Sequence, residues 1–175
     1  SLNMYVVPKI KFSEEQLAII NTYHKDNNFD VLLLKAKDLA FNKEYKISQL
    51  LCEYILNEYP NYTDARILKG RTLAWEKHYE SSEISLLNAL QRSPYYDDVY
   101  LAILDMYWWS EQEEKSIAIY NTAIKNKITN SEISFKMAKA YQRMGHTDFA
   151  QKLIDSIVKI QPENSNYLTF KESLK

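Results

Sequence analysis

Apolar, small and polar positions recur along this chain with a fixed period. Pro60, Pro94 and Pro162 are separated by 34 and then 68 residues, and Ile128 stands at the missing mark. With Phe29, Thr63, Asp97 and Ser131 as unit starts, four segments align without an insertion. The eighth place then holds Ala36, Gly70, Leu104 and Ala138, and the eleventh Leu39, Leu73, Tyr107 and Tyr141. Small residues Ser48, Ser82, Ser116 and Ala150 take the twentieth place, and aliphatic Leu56, Leu90, Ile124 and Val158 the twenty-eighth. Two antiparallel helices approach closely only where a small side chain faces a larger one, so the twentieth place marks the close contact of a helix pair. The proline lies just past the second helix, where it has no donor to continue it and biases the preceding residue out of the helical region. Each unit therefore predicts a first helix of about fourteen residues, a tight turn and a second helix of similar length. The turns are expected near Asn42-Lys43-Glu44, Glu76-Lys77-His78, Glu111-Gln112-Glu113 and Met144-Gly145-His146. At Lys127-Ile128-Thr129 no proline enforces the stop, and the preceding helix is expected to run on or bend.

Two flanks complete the pattern. Ser13-Glu14-Glu15-Gln16 is a capping-box sequence ahead of Leu17, Ile19 and Ile20, which predicts a helix from about Ser13 to Lys25 covering the open face of the first unit. Tyr5 to Phe12 has strand-like or extended character, broken by Pro8. Glu163 to Leu174 begins like a further helix, with Tyr167 and Phe170 available for packing.

These columns, with their 34-residue period and terminal proline, resemble the tetratricopeptide (TPR) family over residues 29–162. The family's usual tryptophan at the fourth place is replaced by Leu32, Arg66, Tyr100 and Ser134. The resemblance implies an all-α fold, a right-handed α-α superhelix of four repeats plus flanking helices. The repeats would span 29–62, 63–96, 97–130 and approximately 131–164. Residues 1–28 would form an extension with a capping helix, and 163–175 a C-terminal capping helix.

Composition agrees with helices and narrows the partners. Two glycines and four prolines are too few for a turn-rich β protein. Fourteen tyrosines, six phenylalanines and three tryptophans suit paired-helix repeats that fill gaps with bulky side chains. With 22 basic and 23 acidic residues the formal charge is −1, so no global field attracts nucleic acid or anionic lipid. No apolar run reaches the roughly 18 residues of a membrane span, and no membrane insertion of this segment is expected. The single Cys52 is compatible with a reducing cytoplasm and equally with a periplasm.

Catalytic chemistry is sparse. His24, His78 and His146 fall in different units, none with a second histidine three or four residues away, so no metal site is expected. Cys52 shares its place with Leu86, Tyr120 and Ile154 and reads as a core filler. Gly70 and Gly145 are the only glycines, which excludes a glycine-rich phosphate loop. A non-enzymatic chain without cofactor follows from this reading.

A scaffold needs a binding face. At 100° per residue the second, ninth and thirteenth places of each first helix lie opposite the packing places and would line the concave groove. The second place holds Asp30, Asp64, Asp98 and Glu132, a row that the helix dipole alone accounts for. The ninth holds Lys37, Arg71, Asp105 and Lys139, and the thirteenth Phe41, Trp75, Trp109 and Arg143, with Trp108 adjacent. These nine residues are the candidate ligand contacts. The aromatic row admits two readings, wedges between neighbouring units or platforms for a ligand.

Within the TPR class, Asp30 to Tyr45 (DVLLLKAKDLAFNKEY), Pro60 to Trp75 (PNYTDARILKGRTLAW) and Leu101 to Ser110 (LAILDMYWWS) are similar to the YaiO family. In that family a periplasmic TPR segment precedes an outer-membrane β-barrel. The resemblance implies a periplasmic location for this chain, as the soluble part of a larger outer-membrane protein; the alternative is the cytoplasm. The TPR class implies binding of a protein or extended peptide, and the export-barrel context implies a polysaccharide as the alternative ligand, stacked on Trp75 and Trp109. The lysines and asparagines of chaperone-binding TPR domains are not reproduced, so capture of acidic C-terminal tails is not expected.

Overall fold

The structure, a computed structural model, describes residues 9–175. Residues 5–8 of the segment expected to be extended, Tyr5 to Phe12, therefore lie outside the described residues; residues 9–12 carry neither helix nor strand. The described residues form ten α-helices and no strand: α1 (Glu14–Tyr23), α2 (Phe29–Phe41), α3 (Tyr45–Glu58), α4 (Thr63–Trp75), α5 (Tyr79–Arg92), α6 (Asp97–Trp109), α7 (Glu113–Lys125), α8 (Ser131–Arg143), α9 (Thr147–Ile160) and α10 (Ser165–Ser173). The first helix of each aligned segment starts at Phe29, Thr63, Asp97 or Ser131. The chain divides into two compact units, 1–85 and 86–175, with the boundary inside α5.

In the first unit α3 packs between α2 and α4, and α1 lies on α3. Its core joins Ile20 of α1, Leu32, Leu33 and Ala36 of α2, Leu51, Cys52 and Ile55 of α3, and Ala65 and Leu68 of α4. Helix α1 opens on the expected capping box: Gln16 N donates to Ser13 Oγ at 3.1 Å and Ser13 N donates to Gln16 Oε1 at 2.9 Å. Just upstream, Asn57 of α3 holds the chain by a reciprocal pair, Ile10 N to its Oδ1 at 2.7 Å and its Nδ2 to Ile10 O at 2.9 Å.

In the second unit α7 packs on α6 and α8, α8 on α9, and α9 on α10. Ala138, Ala150, Ile154 and Ile157 meet Tyr167 and Phe170 of α10 in one cluster. Those two aromatics bury the end of the repeat array, which is what a capping helix must do.

The twentieth place works as a close contact with an added bond. Ser48 Oγ donates to Ala36 O at 2.8 Å and Ser82 Oγ to Gly70 O at 2.7 Å, both buried. The hydroxyl thus ties the twentieth place to the backbone of the eighth. One column is displaced from expectation: the buried aliphatic place is the twenty-seventh (Ile55, Ala89, Ala123, Ile157), whereas Leu56, Leu90 and Val158 are half-buried and Ile124 is exposed.

The hairpin turns share one geometry. Lys43, Lys77, Glu111 and Gly145, spaced by 34, all have positive φ, from 57° to 85°. The next residue in each case donates its N–H to the carbonyl of the eleventh place at 2.8 Å: Glu44 to Leu39, His78 to Leu73, Gln112 to Tyr107 and His146 to Tyr141. This is a Schellman closure, and only the last uses the glycine it favours. The proline-free junction corrects the expectation of a helix that runs on. Helix α7 stops at the twenty-ninth place, while α3, α5 and α9 reach the thirtieth. Lys127 takes φ +57° and Ile128 N donates to Ala123 O at 3.0 Å. Proline has no N–H to make that bond, so its absence is what permits a sharper stop.

The fourth place, without its tryptophan, uses polar reach. Arg66 Nη1 donates to Pro60 O at 2.6 Å and Tyr100 OH to Pro94 O at 2.5 Å, each anchoring a first helix to the turn before it.

Candidate functional site

The nine candidate residues fall in both units and are treated unit by unit. In the first, α2 carries Lys37 and Phe41, and α4 carries Arg71 and Trp75, each pair four residues apart on one helix face. Phe41, the last residue of α2, is 88% exposed, and Trp75, the last of α4, is 40% exposed. The indole of Trp75 leans on Tyr45, the first residue of α3, with ring centroids 5.9 Å apart. Lys37 is exposed and Arg71 half-buried.

In the second unit, Asp105 and Trp108 of α6 face Lys139 and Arg143 of α8, and Trp109 is the last residue of α6. Trp109 is 39% exposed, but the other four form one cluster. The Arg143 guanidinium lies 3.3 Å from the Trp108 ring centroid, donates to Trp108 O at 2.5 Å and pairs with Glu113. Lys139 Nζ lies 5.7 Å from the Trp108 centroid and 4.7 Å from that of Phe135. Asp105 is held by Lys136 at 2.6 Å. Asp105, Trp108, Lys136 and Lys139, together with Leu104, Glu113, Ser116 and Ala140, enclose a cavity of ≈ 20 Å³, room for about one water. Trp108 and Arg143 are therefore committed to joining α6 to α8. Sequence phase alone places Arg143 in the aromatic row; the signal for its role is its place 35 residues after Trp108, one repeat plus one.

Burial first, and then the like charge of Lys136, pull the Lys139 ammonium below the ordinary lysine value, against the opposing carboxylates Asp105 and Glu132. Both carboxylates are engaged elsewhere, Asp105 by Lys136 and Glu132 by Tyr167 OH at 2.6 Å. On its far side Lys139 lines an open cleft of ≈ 480 Å³ with Phe135 of α8 and Asn166, Thr169, Phe170 and Ser173 of α10. Sequence reasoning does not include α10 in the site.

The acidic second-place row is used structurally where its partners are seen. Tyr62 OH donates to Asp30, and Tyr167 OH to Glu132. Burial, then the bond to Asp30, push the Tyr62 phenol up to about 12. Cys52 is fully buried, and burial raises its thiol to about 12, far from a nucleophile's range. No cluster of three or more metal-ligating side chains occurs among the described residues, and none of their helices is long and apolar enough to cross a membrane.

With this geometry in hand, comparison with known proteins decides the family. The family described as "Psidin, N-terminal TPR repeats region" matches residues 38–170. The chain belongs to the tetratricopeptide-repeat family. Its fold is of the α-α superhelix class, shared with solved TPR structures. A thermophilic TPR protein of Thermus thermophilus, TTC0263, is 15% identical with a TM-score of 0.72, covering 91% of this chain and 88% of that one. MamA from Desulfovibrio magneticus RS-1 is 16% identical with a TM-score of 0.65, covering 89% and 99%. YrrB, described as "a TPR protein with an unusual peptide-binding site", is 13% identical with a TM-score of 0.63, covering 90% and 81%. At such identities the likeness is one of fold. No curated protein matches the sequence.

Proposed function

We propose that this TPR chain is a non-catalytic scaffold that binds an extended peptide or protein segment on the face carrying the ninth and thirteenth places of its first helices. The observation that carries this reading is the thirteenth place. Phe41 is almost fully exposed there and Trp75 and Trp109 each keep about two-fifths of their surface exposed, while the eighth place of the same helices is buried. Aromatic surface that stays exposed is what a partner's apolar side chains cover with most gain, and Lys37 and Arg71, one turn earlier, supply polar groups beside it. The peptide-binding site attributed to YrrB, a protein of the same fold, supports the peptide class.

The same exposed rings favour one second reading, a polysaccharide of an envelope export system stacked on Trp75 and Trp109. We further infer a periplasmic location, as the soluble part of an outer-membrane protein, which rests on the YaiO-like strings alone. Fractionation of the full-length gene product tests it, and recovery in the cytoplasm overturns it. The binding face is tested with the Trp75→Ala, Trp109→Ala double mutant, titrated with a degenerate mixture of capped heptapeptides and with neutral and acidic oligosaccharides. Loss of peptide binding with an unchanged melting temperature supports the reading. Full-strength peptide binding, or a core-like stability loss of about 3–5 kcal/mol with binding intact, sinks it. Binding of oligosaccharide in place of peptide selects the second reading.

A further inference from the structure

Resting on the peptide-scaffold reading, we propose that the cleft between α8 and α10 docks an acidic side chain of an extended peptide, with Lys139 as its counter-charge and the Phe135 and Phe170 rings receiving the neighbouring apolar side chain. Lys139 is a half-buried cation with no carboxylate within ion-pair distance among the described residues. Its contacts are two aromatic faces, Phe135 and Trp108, which stabilise a cation without neutralising it. The nearest acidic groups, Asp105 and Glu132, are satisfied by Lys136 and Tyr167, so neither is free to turn toward it. A desolvated charge flanked by a like charge gains most from an incoming anion, and the depressed ammonium is the sign of that unmet demand.

The cleft supplies the rest of a recognition site. Phe135 stands 5.7 Å from Phe170, ring edge to face, and forms an apolar wall beside the ammonium. The Asn166 amide and Thr169 hydroxyl on α10 carry no side-chain hydrogen bond among the described residues and are available to a backbone passing over them. The opening is wide, not blind, so it takes a residue within a chain without requiring a chain end. An acidic residue beside an apolar one is the complement of a lysine beside two phenylalanines.

The test titrates the intact chain with two mixtures of acetylated, amidated hexapeptides, alike in degenerate apolar flanks but with Glu or Gln fixed at the third position. Backbone amide shifts are followed by NMR. The Glu mixture is expected to bind about tenfold tighter and to move the resonances of Phe135, Lys139, Asn166 and Thr169. Lys139→Met keeps the apolar stem, removes a desolvated charge and should fold with an unchanged or higher melting temperature; it should abolish the Glu preference. Equal affinity for the two mixtures, or a Glu preference that survives Lys139→Met, overturns the site. Shifts confined to the surroundings of Trp75 or Trp109 overturn it while leaving the scaffold reading standing, and no shift with either mixture overturns both. Tighter, Lys139-dependent binding of an oligouronate overturns the peptide as occupant.

Discussion

Ser82→Leu tests the packing register at its tightest point. Ser82 is fully buried, and its hydroxyl bonds Gly70 O at 2.7 Å. Ser82→Ala removes that bond, but Gly70 lies within α4 and its carbonyl keeps a helical partner, so the loss belongs at the low end of about 0.5–1.5 kcal/mol. Ala150, equally buried at the same place in the last repeat, shows that a methyl group fits the column. Ser82→Leu loses the bond and also forces a branched side chain into a closed helix contact, which adds overpacking of about 1–3 kcal/mol. The sum, about 1.5–3.5 kcal/mol, lowers the melting temperature of a chain this size by on the order of 10 °C. The control is Ser81→Leu, one residue earlier on the same helix and exposed, expected within about 0.5 kcal/mol of the parent. Thermal melts by circular dichroism, with urea unfolding to give free energies, separate the three variants. A Ser82→Leu protein melting with the parent, or a Ser81→Leu protein as destabilised as Ser82→Leu, would refute the register.

Further outcomes follow from the turns and from one phenol. Lys43→Gly, Lys77→Gly and Glu111→Gly each relieve a left-handed backbone and should stabilise by about 1 kcal/mol in urea titrations, approximately additively. Ile128→Pro, although it restores the residue of the other repeats, removes the N–H bonded to Ala123 O and crowds the positive φ of Lys127; unfolding should show a loss on the order of 2 kcal/mol. Tyr62 is raised above the ordinary value of about 10, so its stabilising contribution is intact below that pH and is lost as pH rises through about 12. Tyr62→Phe should flatten the alkaline fall in stability relative to the parent across that window; an identical slope in both proteins counts against the Asp30 bond.

Helix existence and register are legible because a repeat states each requirement four times. A single serine in a helix says little, but serine at Ser48, Ser82 and Ser116 with alanine at Ala150 marks a steric limit. The displaced aliphatic column carries a weaker signal. Ile55-Leu56, Ala89-Leu90, Ala123-Ile124 and Ile157-Val158 put apolar residues at both places, so residue type cannot choose between them. Phase does: the twenty-seventh place follows the close contact at the twentieth by two helical turns and shares its buried face, whereas the twenty-eighth is rotated away. At Ile128 the missing proline reads in the sequence as a lost obstacle, and only the closed turn shows that it is also a gained donor. At the candidate site, helical phase assigns faces but not partners. Nothing local to Trp108 announces that a guanidinium from the next first helix will cover its ring.

That distinction bears on where specificity can reside. The buried columns, above all the twentieth and twenty-seventh, keep similar residues in every repeat because each must satisfy the same neighbour. The ninth and thirteenth places do not: lysine, arginine, aspartate and lysine occupy one, and phenylalanine, two tryptophans and arginine the other. Within the second unit their variation already has consequences. Asp105 at the ninth place neutralises Lys136, and Arg143 at the thirteenth is drawn onto Trp108, which leaves Lys139 as the cation facing the open cleft without a carboxylate among the described residues. A chain with a net charge of −1 offers a ligand no long-range attraction, so discrimination has to come from such local imbalances. Charge reversal at Asp105 should therefore act on Lys139 without touching it: Asp105→Lys frees Lys136, adds a third cation beside the cavity and should pull the Lys139 ammonium further below its ordinary value. NMR titration of its side-chain resonances measures that shift. A Lys139 titration unmoved by Asp105→Lys would show that burial alone, not the arrangement of neighbouring charges, sets the demand for an anion at this cleft.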